Sequence, residues 1–184
     1  MNEVLKTIAA RNSCRDFEST PLTAEQIKAI AEAALAAPSA MNRQPWHIIM
    51  ITDKALIDEL NDEGMSILAA AEDKSGYERM MSRGGKMFYN APCMMVILSD
   101  GSEFAFMDCG ILTQNVTLAA QSIGLTTCIV GMAGVPLSGP HGAEYKKRLK
   151  IPDGYEFAIG ILVGTEKTGK PPHDLDPGKI TYIG

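Results

Sequence analysis

A chain of 184 residues, 46% hydrophobic and 21% charged, is sized for one domain with its own core, read here as a single domain over residues 1–184. Its net charge of −5 without a long basic run argues against a nucleic-acid partner, and its longest apolar stretch, 91–98, is far short of the ~18 residues a membrane span needs. Four scattered cysteines (Cys14, Cys93, Cys109, Cys128), no CxxC pair and no signal-peptide pattern point to reduced thiols and a cytoplasmic protein.

In chain order, Val4, Leu5 and Ile8 behind Asn2 predict a capped helix over 3–10. Arg11-Asn12-Ser13-Cys14-Arg15 follows. If the chain is extended there, residues 11, 13 and 15 share one side, because successive residues of a strand alternate faces. Two guanidinium groups and a hydroxyl then form a small anion clamp. Thr23-Ala24-Glu25-Gln26 is a capping box that opens a helix, and Pro38 ends it. The loop Pro38-Ser39-Ala40-Met41-Asn42-Arg43-Gln44-Pro45-Trp46 holds two prolines, two amides, a serine and the chain's only tryptophan. Such a loop presents rigid surface and amide groups to a planar polar ligand.

His47 to Thr52 predicts a buried strand, and Asp53 caps a helix through Leu56, Ile57 and Leu60. Residues 72–90, polar and glycine-interrupted, read as a mobile connection with some helix; Cys93 to Ser99 reads as a second strand. From Glu103 to Ile123, apolar residues at 105, 109, 112, 116, 119 and 123 form one helical face. Phe104, Met107, Ile111 and Leu118 form another, which places this helix centrally or in a subunit interface. Asp108 and Asn115, seven apart on it, read as interface hydrogen bonders. Leu125 to Val130 and Phe157 to Val163 are further strands, and a Gly/Pro-rich tail, 165–184, ends in Ile180-Thr181-Tyr182-Ile183. Helices paired between strands favour an α+β or three-layer architecture with a mixed sheet.

Candidates for acid–base or metal chemistry are sparse. His47, His141 and His173 have no paired ligand spacing, so no metal site and no catalytic side chain is assigned. Gly164-Thr165-Glu166-Lys167-Thr168-Gly169-Lys170 has the spacing of a phosphate loop, but Pro171 replaces the hydroxyl residue that Mg²⁺ needs.

The order of these segments resembles the nitroreductase family of FMN-dependent oxidoreductases. The residues that carry the likeness are Arg11-Asn12-Ser13-Cys14-Arg15-Asp16-Phe17, Pro21-Leu22, Pro38 to Trp46, Asn90-Ala91-Pro92, Asp108-Cys109-Gly110, Gly124-Leu125 through Gly131, and Gly160 to Gly164. The resemblance implies an α+β, three-layer α/β/α fold with a mixed, mainly antiparallel sheet, dimeric with an exchanged C-terminal arm. It implies a homodimer with FMN as cofactor and NADH or NADPH as reductant. A small-molecule acceptor such as a nitro compound or a quinone would take the electrons in a ping-pong cycle. Carried over by position, Arg11, Ser13 and Lys170 hold the phosphate, with His173 a weaker contact and Asn12 standing where arginine is frequent. Arg15 faces the ring edge that gains negative charge. Pro38, Ser39, Ala40 and Asn42 come from the other subunit, Gln44 and Lys86 are polar neighbours, and the Val130 and Gly131 amides reach the ring. A specialised relative (dehalogenating, biosynthetic or flavin-degrading) or a non-catalytic FMN-binding protein are the alternatives.

Overall fold

The computed structural model describes residues 1–169, 171 and 173–184 of the chain; the expectation for Lys170 lies outside them. Local caps set the helices where their residues predict. α1 (Glu3–Ala10) starts where Asn2 Oδ1 accepts the Leu5 N–H at 3.0 Å. α2 (Ala24–Leu35) opens on a complete capping box, with Thr23 and Gln26 each accepting the other's backbone N–H. β1 (Trp46–Ile51) leads to α3 (Lys54–Ala70), whose first N–H groups donate to the Asp53 carboxylate. Then come α4 (Ser75–Met81), β2 (Cys93–Ser99), α5 (Ala105–Ser122), β3 (Thr126–Val130), α6 (Val135–Ser138), α7 (Gly142–Arg148) and β4 (Glu156–Gly164).

The four strands form one sheet in the order β1-β2-β4-β3, and each neighbouring pair is antiparallel. β2 is buried along its whole length, so its alternating side chains feed two cores. Cys93, Met95 and Ile97 pack with Ile30 and Ala34 of α2 and with Cys109, Leu112 and Val116 of α5. Met94, Val96 and Leu98 pack on the other side with Ile57 and Leu60 of α3, Leu137 of α6 and Tyr145 of α7. The result is three layers, α/β/α. The sheet is thus antiparallel throughout rather than mixed as expected; the one parallel pairing among the described residues, Ser13 to Thr127, is an isolated bridge outside the named strands. No described helix is long and apolar enough to cross a membrane.

Residues 72–90 hold the helix expected in them, α4, but differ from a mobile connection in that Met80, Met87, Phe88 and Tyr89 are core residues. The Phe88 N–H donates to the buried Asn61 side chain at 3.1 Å, which pins the segment to α3. Its apolar residues obey no helical or strand period, so the polar residues between them dominate the sequence signal.

Candidate functional site

α1 ends at Ala10, and the chain then runs extended beside the outer edge of β3, where the Cys14 N–H donates to the Thr127 carbonyl at 2.9 Å. The Cys14 side chain turns into the core, 1% exposed. Arg11, Asn12, Ser13 and Arg15 line an open cavity of about 430 Å³ together with Pro171 and His173. Arg11, Ser13 and Arg15, grouped by sequence, thus border one cavity, with the tail residue His173 beside them. Neither arginine forms a salt bridge among the described residues, where the ion pairs are all made by other cations. Asn12 Oδ1 and Thr126 Oγ1 are buried without a hydrogen-bond partner among the described residues. Guanidinium groups with no carboxylate partner among the described residues suit an anion, and a buried acceptor without a donor suits a hydroxyl or amide from a ligand.

The strand edge beside the clamp leads onward to Gly131. From Thr127 to Gly131 is four residues, about 13 Å at ~3.3 Å per residue. β3 closes against Gly160 of β4, and a 3₁₀ turn, Gly131–Gly134, follows. A Cβ on Gly160 would lie 2.6 Å from the Ala133 Cβ, so only glycine lets this turn tuck against the sheet. Gly131 also borders a cavity of about 610 Å³, walled by α6, α7, Tyr155 and Phe157.

The Pro38–Gln44 loop has an unusual backbone. Met41, Asn42 and Gln44 all adopt left-handed φ values, 54°, 55° and 49°. Non-glycine residues hold such angles only when their surroundings fix them. Here Ser39 Oγ accepts the Gln44 N–H at 2.9 Å, and the Gln44 amide donates to Asn42 Oδ1 at 3.3 Å. The Ala40 N–H donates to both oxygens of Asp108, at 3.3 and 3.2 Å. Sequence reasoning assigned Asp108 and Asn115 to an interface; instead both bond within the chain, Asn115 donating to the Ala33 carbonyl at 3.2 Å. Only tertiary structure brings α5 to this loop, so no sequence signal could have revealed it.

The residues read from sequence fall into separate places. Pro38, Ser39 and Ala40 line a cavity of about 240 Å³ with Phe104, Met107, Asp108 and Ile111, not the clamp cavity. Gln44 lines another with Trp46 and His47, and Trp46 itself is a core residue. Lys86 donates to Asn90 Oδ1 at 2.6 Å and borders a cavity between α3 and α4. The turn after it nonetheless meets the clamp segment, since the Phe17 N–H donates to the Tyr89 carbonyl. Burial pushes the thiols of Cys14 and Cys109 up to about 11 and that of Cys93 to about 12, so these are not poised nucleophiles. No His/Cys/Asp/Glu cluster suited to a metal occurs among the described residues.

Residues 8–165 match the profile of the nitroreductase family. A nitroreductase from Desulfitobacterium hafniense, solved with bound FMN, is 48% identical over the whole of both chains and superposes with a TM-score of 0.96. Another, from Bacteroides fragilis and also with bound FMN, is 28% identical over both whole chains, with a TM-score of 0.90. The NADPH-flavin oxidoreductase of Vibrio harveyi is 29% identical over 170 residues, covering 89% of this chain and 66% of that one. Against the first curated relatives it matches, the chain spans about two thirds of their length (69%, 61% and 66%).

Proposed function

We propose, because this chain belongs to the nitroreductase family, that it is an FMN-dependent oxidoreductase passing electrons from NADH or NADPH to a small acceptor such as a nitro compound or a quinone. The observation that carries this reading is the clamp cavity: two arginines without carboxylate partners, beside a buried Asn12 oxygen without a donor, among the described residues. That donor set fits a phosphate joined to a hydroxylated chain. When bound, FMN supplies the chemistry, taking a hydride from the nicotinamide and giving electrons to the acceptor in the same place.

The chain's own residues bind and orient. Arg11, Ser13 and Lys170 hold the phosphate, with His173 beside them and Asn12 accepting from the chain that joins phosphate to ring. The edge of β3 then spans to Val130 and Gly131, whose backbone N–H groups hold the polar side of the ring, with Lys86 nearby. Arg15 sets a fixed cation at the edge where negative charge collects on reduction, which favours the reduced state. No side chain acts as an obligatory acid or base.

Pro38, Ser39, Ala40, Asn42 and Gln44 serve the clamp of a second copy, in a homodimer. Support comes from the apolar surface left open beside them: Phe104, just before α5, and Phe106 and Met107 on it are exposed, Met107 by 67%. A patch of this kind marks an interface. The tail adds Tyr182 and Ile183, 88% and 95% exposed. Among the described residues β1 pairs only with β2, so its open edge can receive such an arm. Four dispersed thiols fit a cytoplasmic setting. Titration of the purified protein with FMN, read by quenching of flavin fluorescence, tests the reading. Uptake of one FMN per chain is the expected result, and no uptake contradicts it.

A further inference from the structure

Asp108 is the one carboxylate buried among the described residues, 4% exposed. Removing a carboxylate from water is costly unless it is paired or hydrogen-bonded. No lysine, arginine or histidine forms a salt bridge with it among the described residues. Both its oxygens instead share one backbone donor, Ala40 N–H. That donor opens the turn containing the left-handed Met41 and Asn42. The loop's other side-chain bonds, Ser39 to Gln44 and Gln44 to Asn42, are internal to it and cannot orient it on the protein. Asp108 ties the turn to α5, a helix fixed on the sheet by Cys109, Leu112 and Val116.

We propose that Asp108 is the positioning residue of this loop. Its carboxylate holds the Ala40 N–H and so keeps the Pro38–Asn42 turn in the shape that packs on the flavin. The placement rests on the FMN reading given above. Strain of this kind persists only where the surroundings over-determine it. A turn carrying left-handed non-glycine residues relaxes once its outside anchor is lost. The sheet and the clamp do not depend on this bond, so the fold should survive its removal.

Asp108→Ala and Asp108→Asn, compared with the parent for sedimentation, thermal unfolding, FMN dissociation constant and flavin reduction potential, test the inference. Loss of a hydrogen bond to a charged group should raise the FMN dissociation constant of a folded Asp108→Ala dimer by about tenfold or more. Its reduction potential should shift as well. Asp108→Asn keeps an oxygen acceptor in place and should stay within about threefold of the parent. Parental affinity and potential in Asp108→Ala, or no rescue by Asp108→Asn, would overturn the role. Should Asp108→Ala not fold, Ala40→Pro removes the donor instead, and Ser39 is already extended as a residue before proline must be. The same rise in dissociation constant is then expected, and an unchanged value overturns the proposal. A parent that takes up no FMN sinks the functional reading itself, whereas a parent that binds FMN beside indifferent variants sinks only the role of Asp108.

Discussion

A guanidinium that donates to a phosphate contributes about 1.5–3 kcal/mol, so Arg11→Ala should weaken FMN binding roughly ten- to a hundredfold. Arg15→Ala should act differently, lowering the flavin reduction potential while some binding remains, because a cation at the ring edge stabilises the reduced state. Fluorescence titration checks the first and spectroelectrochemistry the second; equal potentials in variant and parent would show that Arg15 is not where we place it. That Arg11, Ser13 and Arg15 border one cavity was legible in the sequence because these residues are local in the chain, although Asn12 lines the same cavity. The bond from Ala40 to Asp108 spans 68 residues and exists only after α5 packs beside the loop, so no spacing rule reports it. The orphaned Asn12 oxygen is hidden for the same reason, since its burial is set by neighbours distant in the chain.

The contact between α3 and α7 is made by charged pairs at the element scale. His141 Nδ1 lies 2.9 Å from Glu63 Oε1, and Arg148 reaches both oxygens of Glu59 at 2.5 and 2.8 Å. The hydrogen bond to Glu63 and its charge raise the His141 pKa above its ordinary value. A folded-state pKa above the unfolded one stabilises fully below the unfolded value, about 6.5, and the contribution fades as pH rises through the folded value. Thermal unfolding of the parent should therefore lose more stability than Glu63→Gln as pH goes from about 6 to about 8. Parallel pH profiles for the two proteins would remove the pair from the account. Among the elements themselves, α1, α2 and α3 were readable because Asn2, Thr23 and Asp53 announce them. α6 and α7 were not, since helices of 4 and 7 residues are too short to show a period.

Across the whole molecule, the clamp and the Pro38 loop line different cavities of one chain, and apolar residues of α1, α5 and the tail stand exposed. Two copies exchanging these surfaces, as proposed above, would account for both facts, and such an exchanged interface would be obligate rather than transient. Removing residues 176–184 should then weaken dimerisation and FMN retention together, as sedimentation and flavin fluorescence would report. A truncated monomer with full FMN affinity would refute the shared site. The three-layer arrangement was legible from helices paired between strands, whereas the routing β1-β2-β4-β3 rests on long-range pairing that composition and periodicity do not encode. The central claim is that the FMN-loaded protein passes electrons from a nicotinamide to a small acceptor. Anaerobic addition of NADH or NADPH to the flavin-loaded protein, followed by a quinone or a nitro compound, tests it most directly. The account expects the flavin's visible absorption to bleach rapidly with the nicotinamide and to return with the acceptor; a bound flavin that stays oxidised would contradict it.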